Sequence, residues 1–117
     1  GPATAGFQDI NKLDQTTIDV NYTTSVESGK HFITLDLKNT GKTLSFFTQI
    51  QWLDDKGRPV RPSFYSDNFM SLLPGESQSV TIETAVANLS EASYSLVVKG
   101  INISTKKFKI KPCADCF

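Results

Sequence analysis

Few residues in this chain could carry out chemistry, and the first to consider is its one histidine, His31. A serine, threonine or cysteine nucleophile needs a base within hydrogen-bonding reach, and histidine is the usual base. His31 lies among polar neighbours where an alternating segment begins, so we interpret it as a surface histidine. The sequence therefore predicts no pair of nucleophile and base.

Acidic residues are the second candidates, because hydrolysis of a glycosidic bond uses two carboxyl groups about 5 to 10 Å apart across a cleft. Asp54 and Asp55 are adjacent in a turn-type sequence, whereas Glu76 and Glu83 lie near or within alternating segments. We expect all four carboxylates to be solvated, since a small β-domain offers no deep cleft. The sequence predicts no catalytic residues.

Cys113 and Cys116 have the CxxC spacing of thiol redox motifs and of half a zinc site. The other half of a zinc site is missing, because the sequence has neither a second CxxC nor a pair of histidines. The motif also follows Pro112 and does not open a helix that would lower the pKa of a thiol. We interpret this segment as a tail and expect neither a metal nor another cofactor.

The balance of charge argues against a polyanionic partner. The chain has 12 Lys and Arg and 12 Asp and Glu, and neither sign forms long runs. Lys106, Lys107 and Lys109 come closest to a basic patch, but they alternate with Phe108 and Ile110, which is typical of the solvent face of a strand. We expect no nucleic acid partner. We also expect no membrane contact, since no apolar run approaches the roughly 20 residues of a membrane span.

A length of 117 residues is enough for one domain with a single core. Residues 1–6 resemble the scar of a cleaved expression tag, and we leave them out of the fold. We assign residues 7–111 to the folded domain and residues 112–117 to the tail. No internal repeat or low-complexity linker marks a second domain.

Alternation of apolar and polar residues recurs along the chain, and helical periodicity does not. Trp52 lies on the apolar face of the longest such segment, so we expect it at the centre of the core. About seven strands separated by turn residues are typical of an all-β, immunoglobulin-like antiparallel β-sandwich. The alternating apolar sets are Ile18, Val20 and Tyr22; Ile33, Leu35 and Leu37; Phe46, Ile50 and Trp52; Val80 and Ile82; Tyr94, Leu96 and Val98; and Phe108 and Ile110.

Turn residues separate these segments. Residues 39–42 (Asn-Thr-Gly-Lys) end one strand with residues that tolerate positive φ, and residues 54–57 predict a hairpin turn. Prolines at 59 and 62 confine residues 60–65 to an edge strand or an extended crossover. Pro74 and Gly75 occupy the two central positions of a predicted type II turn, in which the glycine has positive φ. Residues 85–92 could form only a short helical turn.

The most specific sequence in the chain is residues 64–77, which read Phe-Tyr-Ser-Asp-Asn-Phe-Met-Ser-Leu-Leu-Pro-Gly-Glu-Ser. This segment resembles a signature in the C-terminal immunoglobulin-like domain of family-2 glycoside hydrolases of the exo-β-glucosaminidase and β-mannosidase type. Residues 35–41 and 44–47 resemble the strand, turn and aromatic strand that precede the signature in that family. The resemblance covers residues 13–111.

The resemblance implies a larger parent enzyme that is periplasmic, secreted or lysosomal-type, with its catalytic glutamates in a (β/α)₈ barrel. A barrel of that kind needs about 250 residues. The resemblance therefore implies that this chain is a non-catalytic accessory domain. Its partners would be the catalytic barrel and other domains of the same polypeptide.

The signature loop has two possible roles. Asp67 and Asn68 could bond nearby backbone amides and stabilise a sharp reversal of the chain. Alternatively, Tyr65, Asp67 and Asn68 could line the rim of the parent enzyme's sugar cleft.

The rival to an accessory domain is an independent carbohydrate-binding or adhesive module, with an oligosaccharide as its partner. Five aromatic residues fall on the inward phases of alternating segments, which favours the accessory domain over a module with an exposed aromatic platform. The inward set is Tyr22, Phe46, Trp52, Tyr94 and Phe108.

Overall fold

The computed structural model describes residues 13–90 and 92–112, which form two antiparallel four-stranded sheets packed face to face. Sheet 1 has the strand order β1-β2-β6-β4, and sheet 2 has the order β5-β3-β7-β8. The strands are β1 (Ile18–Glu27), β2 (Lys30–Asn39), β3 (Ser45–Leu53), β4 (Ser63–Tyr65), β5 (Met70–Leu72), β6 (Ser77–Ala85), β7 (Tyr94–Gly100) and β8 (Ile103–Ile110). The predicted immunoglobulin-like β-sandwich is confirmed, with eight strands where we counted about seven.

The additional strand is β5, Met70–Leu72, which lies within the signature segment. Its three residues are too few to show strand alternation on their own, and the turn residues on both sides made the segment look like part of a loop. β4 lies at the edge of sheet 1, as the two prolines before it predicted. The predicted helical turn is a single 3₁₀ turn at Val86–Asn88.

Two interpretations fall outside the described residues. They are the tag remnant at residues 1–6 and the tail with Cys113 and Cys116. Within the described ranges, no helix is long and apolar enough to cross a lipid bilayer.

The core lies between the sheets and is centred on Trp52 of β3, whose side chain has no solvent exposure. Its indole stacks on Tyr94 of sheet 2 at 5.1 Å between ring centroids and on His31 of sheet 1 at 6.0 Å. Aliphatic side chains from both sheets surround these rings. The prediction for Trp52 is confirmed, and the three stacked rings connect the two sheets.

The prediction of a surface histidine is wrong, because His31 is 1% exposed. It lies on β2 in phase with Ile33, Leu35 and Leu37, so the alternation that identified this strand begins one step earlier than we assigned it. Neither ring nitrogen has a hydrogen-bond partner among the described residues. Burial lowers the pKa of His31, because a charged imidazolium would lose its hydration.

The turn at residues 39–42 differs from its prediction at two positions. Asn39 is the last residue of β2 and is buried, with all four bonding positions of its side-chain amide used. Gly41 does not have positive φ. It is required for space, since a Cβ there would lie 1.9 Å from Oγ1 of Thr16 and 2.9 Å from the backbone nitrogen of Thr17.

The other turns form as predicted. Asp54 accepts N–H bonds from Lys56 and Arg58, each at 2.9 Å, and closes the hairpin turn after β3. The bond from the Arg58 amide is the largest cause that lowers the pKa of Asp54, so this carboxylate remains ionised and bound to its own turn.

Replacing Trp52 with alanine should lower the free energy of unfolding by about 3 to 5 kcal/mol, because the substitution removes the ring that contacts both sheets. Urea unfolding of the purified chain measures this loss. Phe64→Ala is the control, since its side chain is 64% exposed and the change should stay within about 0.5 kcal/mol. Equal unfolding midpoints for Trp52→Ala and the wild type would contradict the assignment of Trp52 to the core.

The stability of the chain should fall as the pH drops below about 6.5, the ordinary pKa of histidine. The unfolded state takes up a proton on His31 there, whereas the folded state resists protonation until the pH reaches its lowered pKa. The expected slope is at most about 1.4 kcal/mol per pH unit. Urea unfolding of His31→Phe between about pH 5 and 7 should lack this slope. A slope equal to that of the wild type would show that another group is responsible.

Candidate functional site at the signature loop

The signature loop joins the two sheets. β4 ends at Tyr65 in sheet 1 and β5 begins at Met70 in sheet 2, so residues 66–69 cross from one sheet to the other. A crossing chain leaves backbone groups without ladder partners at the strands that it departs from and approaches. The polar side chains of the loop supply those partners.

Tyr65 is bonded to the core strand. Its hydroxyl oxygen accepts the backbone N–H of Trp52 at 2.8 Å, and the carbonyl of Trp52 accepts the N–H of Val60 at 3.0 Å. Burial raises the pKa of Tyr65, so the phenol stays neutral and keeps its proton. No described residue accepts that proton, which leaves it available to an incoming acceptor.

Asn68 replaces a missing strand neighbour. The register of β5 on β3 ends at Thr48, two residues before Ile50. The side-chain amide of Asn68 then accepts the N–H of Ile50 at 2.8 Å and donates to the carbonyl of Ile50 at 2.9 Å. This pair of bonds reproduces what a neighbouring backbone would provide and seals the edge of β3.

The middle of the loop is bonded to sheet 1. Ser66 exchanges two bonds with Thr81 of β6, one from its N–H at 2.9 Å and one to its hydroxyl at 2.8 Å. Asp67 accepts a bond from the side-chain amide of Gln78 at 2.6 Å and from the N–H of Asn68 at 2.8 Å. The loop is therefore anchored to β6 on one side and to β3 on the other.

A shallow depression of about 230 Å³ lies beside the loop. Its volume is below the roughly 300 to 1,000 Å³ of most small-molecule sites. Four polar side chains that we did not single out from the sequence line the wall: Gln49, Gln51, Arg61 and Ser63, the last with its hydroxyl bonded to that of Thr84. Strand alternation places both glutamines on the outer face of β3, whereas no sequence pattern marks Arg61.

The three rim candidates do not share one surface. Tyr65 and Asn68 line the depression, but Asp67 does not, and it bonds Gln78 on β6. In both lining residues at least one polar atom is bonded to the backbone of β3. The arrangement offers a sugar hydroxyl few free groups, mainly the Tyr65 proton and the side chains of Gln49, Gln51 and Arg61.

The turn after β5 is built by Pro74 and Gly75. The carbonyl of Leu73 accepts the N–H of Glu76 at 2.9 Å, and Gly75 has φ of 81°. The Gly75 N–H also donates to the carbonyl of Asn39 at 2.7 Å. This turn connects sheet 2 to the end of β2, and its chemistry is structural.

The described residues contain no cluster of three or more His, Cys, Asp or Glu that could hold a metal ion. Among the inward aromatics, Trp52 and Tyr94 are buried. Tyr22, Phe46 and Phe108 are half-buried. The exposed aromatics of the described segments lie on different elements: Phe47 on β3, Phe64 on β4 and Phe69 before β5.

A sequence model described as the exo-β-D-glucosaminidase Ig-fold domain matches residues 2–103 of the chain. The chain belongs to that family. The exo-β-D-glucosaminidase of Streptomyces avermitilis is 39% identical over 82 residues, which cover 68% of this chain and 9% of the relative. The enzyme of the same name from Amycolatopsis orientalis is 30% identical over 107 residues, which cover 89% of this chain and 10% of the relative.

Solved structures agree with the sequence matches. The crystal structure of Amycolatopsis orientalis exo-chitosanase CsxA superposes with a TM-score of 0.78 and 28% identity, covering 87% of this chain and 12% of that one. A structure of the same enzyme inhibited by a glucosamine-configured castanospermine gives the same TM-score of 0.78. This Ig-fold chain thus spans about a tenth of the length of the curated relatives that it matches.

Replacing Asn68 with alanine should destabilise the chain by about 1 to 3 kcal/mol, because the N–H and carbonyl of Ile50 lose their partner. Asp67→Ala is the matched control. Its bonds are exposed, so the loss should be about 1 kcal/mol or less. Urea unfolding of both variants measures the difference. An Asn68→Ala variant as stable as the wild type would rule out the structural role.

Proposed function

We propose that this chain is a non-catalytic accessory domain of a family-2 glycoside hydrolase of the exo-β-D-glucosaminidase type, and that it packs on the catalytic barrel of the same polypeptide. The observation that carries the proposal is the set of hydrogen bonds that the signature loop makes to the strands of its own domain. Tyr65, Ser66 and Asn68 direct polar atoms at β3 and β6. Residues used in this way stabilise a scaffold and leave little chemistry for a reaction.

The size of the chain supports an accessory role. A (β/α)₈ barrel needs about 250 residues, and this chain has 117. The matched relatives are many times longer than the segment they share with the chain. A parent of that length has room for the barrel and its two catalytic carboxylates elsewhere in the polypeptide.

Two sugar specificities fit the signature, namely glucosamine and mannose. The matched relatives are named exo-β-D-glucosaminidases, and the matched structure is named an exo-chitosanase. These names favour a parent that removes glucosamine units over one of the β-mannosidase type.

A second candidate function is direct contact with an oligosaccharide at the depression beside Tyr65. It is favoured by the phenol proton that no described residue accepts and by the polar side chains Gln49, Gln51 and Arg61 on the wall. In this role the domain would extend the rim of the parent's cleft or act as an independent carbohydrate-binding module. The small volume of the depression makes it the weaker candidate.

The purified chain should show no hydrolysis of a nitrophenyl β-D-glucosaminide above background, whereas the full-length polypeptide that contains it should turn the substrate over. Release of nitrophenol measures both. Turnover by the chain alone at about 1 per second or faster would overturn the accessory role. Failure of the folded full-length polypeptide to cleave either a glucosaminide or a mannoside would overturn the assignment of the parent.

Titration of the chain with a glucosamine oligosaccharide, followed by NMR, tests the second candidate. Shifts confined to Gln49, Gln51 and Arg61, and lost in Arg61→Ala, would replace the scaffold role with sugar binding. Unchanged spectra at millimolar sugar are the expected result.

A further inference from the structure

The balanced net charge of the chain hides a strong separation of charge between the two sheets. The strands of sheet 2 contain four lysines and no acidic residue, namely Lys99, Lys106, Lys107 and Lys109. The strands of sheet 1 contain four acidic residues, Asp19, Glu27, Asp36 and Glu83, and two lysines, Lys30 and Lys38. The sandwich is therefore basic on one side and mildly acidic on the other.

Most of these lysines lie on the outer surface of sheet 2. Leu96 and Val98 of β7 are buried against the core. Because side chains alternate along a strand, Val97 and Lys99 face the opposite side, away from the core. In the strand register Gln49 is opposite Lys99. Val97 lies between Gln51 and Lys107, and Ser95 is opposite Lys109. This outward surface combines three ammonium groups with the amides of Gln49 and Gln51, which surround Val97, itself only 8% exposed.

A phenylalanine is presented at one end of this surface by a distortion of β3. The register of β3 on β5 passes from Ser45 opposite Leu72 to Thr48 opposite Met70, which inserts one extra residue as a β-bulge. Phe47 lies in the bulge with φ of 51°, a conformation that is unfavourable for a bulky residue. Phe47 is 56% exposed and its ring meets that of Phe46 at 6.5 Å between centroids, so packing within the described residues offsets little of the strain.

Beside Phe47 the surface forms a groove of about 230 Å³, lined by Phe47, Gln49, Lys99, Gly100 and Ile101. Ile101 is 40% exposed. The groove thus places two exposed apolar side chains next to an ammonium and an amide. Large exposed apolar groups beside charges are typical of surfaces that pack against protein.

We propose that the outer surface of sheet 2, defined by Phe47, Gln49, Lys99, Ile101, Lys107 and Lys109 and called here the lysine face, docks on another domain of the same polypeptide. The docked surface has an apolar patch at one end for Phe47 and Ile101, and carboxylates opposite the lysines. This inference rests on the proposed function, because it requires a multidomain parent. It identifies the side of the sandwich that faces the rest of the polypeptide.

Charge selects this occupant over the others. A glucosamine unit carries an amine that is cationic when protonated, so three lysines would repel the sugar that the matched relatives are named for. Aspartate and glutamate side chains on a protein surface complement the lysines. The matched relatives have about nine-tenths of their length outside the shared segment. Covalent linkage holds such a domain close at a high effective concentration, so even a modest interface forms.

Pulsed acetylation of lysines, quantified by mass spectrometry, tests the proposal in the purified chain and in the full-length polypeptide. Lys99, Lys107 and Lys109 should react about tenfold more slowly in the full-length polypeptide, which corresponds to about 1.4 kcal/mol in favour of the docked state. Lys38 of sheet 1 and Lys56 of the exposed turn are the internal controls and should react equally in both. Equal rates for all five lysines would overturn the docking.

Two matched variants separate docking from folding. Lys99→Gln with Lys107→Gln removes two charges from the lysine face, and Lys38→Gln with Lys56→Gln removes two charges elsewhere. Only the first pair should restore fast acetylation of Lys109 in the full-length polypeptide. Both pairs should leave the melting temperature of the purified chain unchanged, because all four side chains are solvent-exposed or partly so. Restoration by the second pair instead would contradict the assigned surface.

Phe47→Asn is a sharper test, since asparagine tolerates positive φ. The purified chain should melt at the same temperature or higher, whereas Lys99 in the full-length polypeptide should lose its protection. A destabilised purified chain with protection retained would show that Phe47 serves the fold instead.

Three further results separate a failure of the docking proposal from a failure of the proposed function. If the lysines are unprotected while the full-length polypeptide still cleaves the glucosaminide, the docking surface is wrong and the proposed function stands. If the polypeptide is folded but cleaves neither a glucosaminide nor a mannoside, the proposed function is wrong. If the purified chain binds a single-stranded oligonucleotide tightly and loses this binding in the Lys99→Gln and Lys107→Gln variant, the lysine face binds nucleic acid and docking is overturned.

Discussion

The structure depends on satisfying backbone groups where the chain passes from one sheet to the other. A two-sheet sandwich has edges at which N–H and C=O groups have no ladder partner, and burying them unpaired is costly. Three asparagine side chains solve this problem. Asn68 bonds both backbone groups of Ile50 on β3. Asn39 bonds the carbonyls of Thr43 and Leu72, and Asn102 bonds the N–H of Phe46 and the carbonyl of Leu44.

These amides suit the task because each offers a donor and an acceptor in one plane, as a peptide group does. Asn39 and Asn102 are buried, so an alanine at either position would leave several polar groups unpaired. The same logic explains why the Tyr65 hydroxyl lies against the N–H of Trp52. A motif that looks like a sugar-binding cluster in the sequence is, in its main contacts, a set of substitutes for backbone.

Alternation of apolar residues predicted most of the fold, because a strand with one face in the core must repeat every second residue. Trp52, Ile33 and Leu96 were placed correctly on this basis. The same rule carried one step further would have placed His31 in the core, but its polar side chain argued for the surface. A histidine can be buried neutral when it stacks on an aromatic ring, and here Trp52 is that ring.

Other features could not be predicted from neighbouring residues, because their causes are distant in the chain. Gly41 is needed because Thr16 lies against it, which depends on β1 pairing with β2. The candidate site was predicted only in part, since alternation places Gln49 and Gln51 outward but nothing local brings Arg61 beside them. The separation of charge was also hidden, because the strands of the two sheets alternate irregularly along the sequence.

Edge protection and surface charge are connected in this sandwich. β8 is an outer strand of sheet 2, and lysines on an edge strand oppose pairing with a foreign strand. On the other side of the sheet, Asn68 and Tyr65 occupy the backbone groups of β3 beyond the end of β5. These features disfavour strand addition at β8 and at the part of β3 that β5 does not cover, so we expect a partner of sheet 2 to contact its outer surface. An interface on that surface must then be made by side chains, which is why the exposed Phe47 and the lysines beside it decide what the domain can bind.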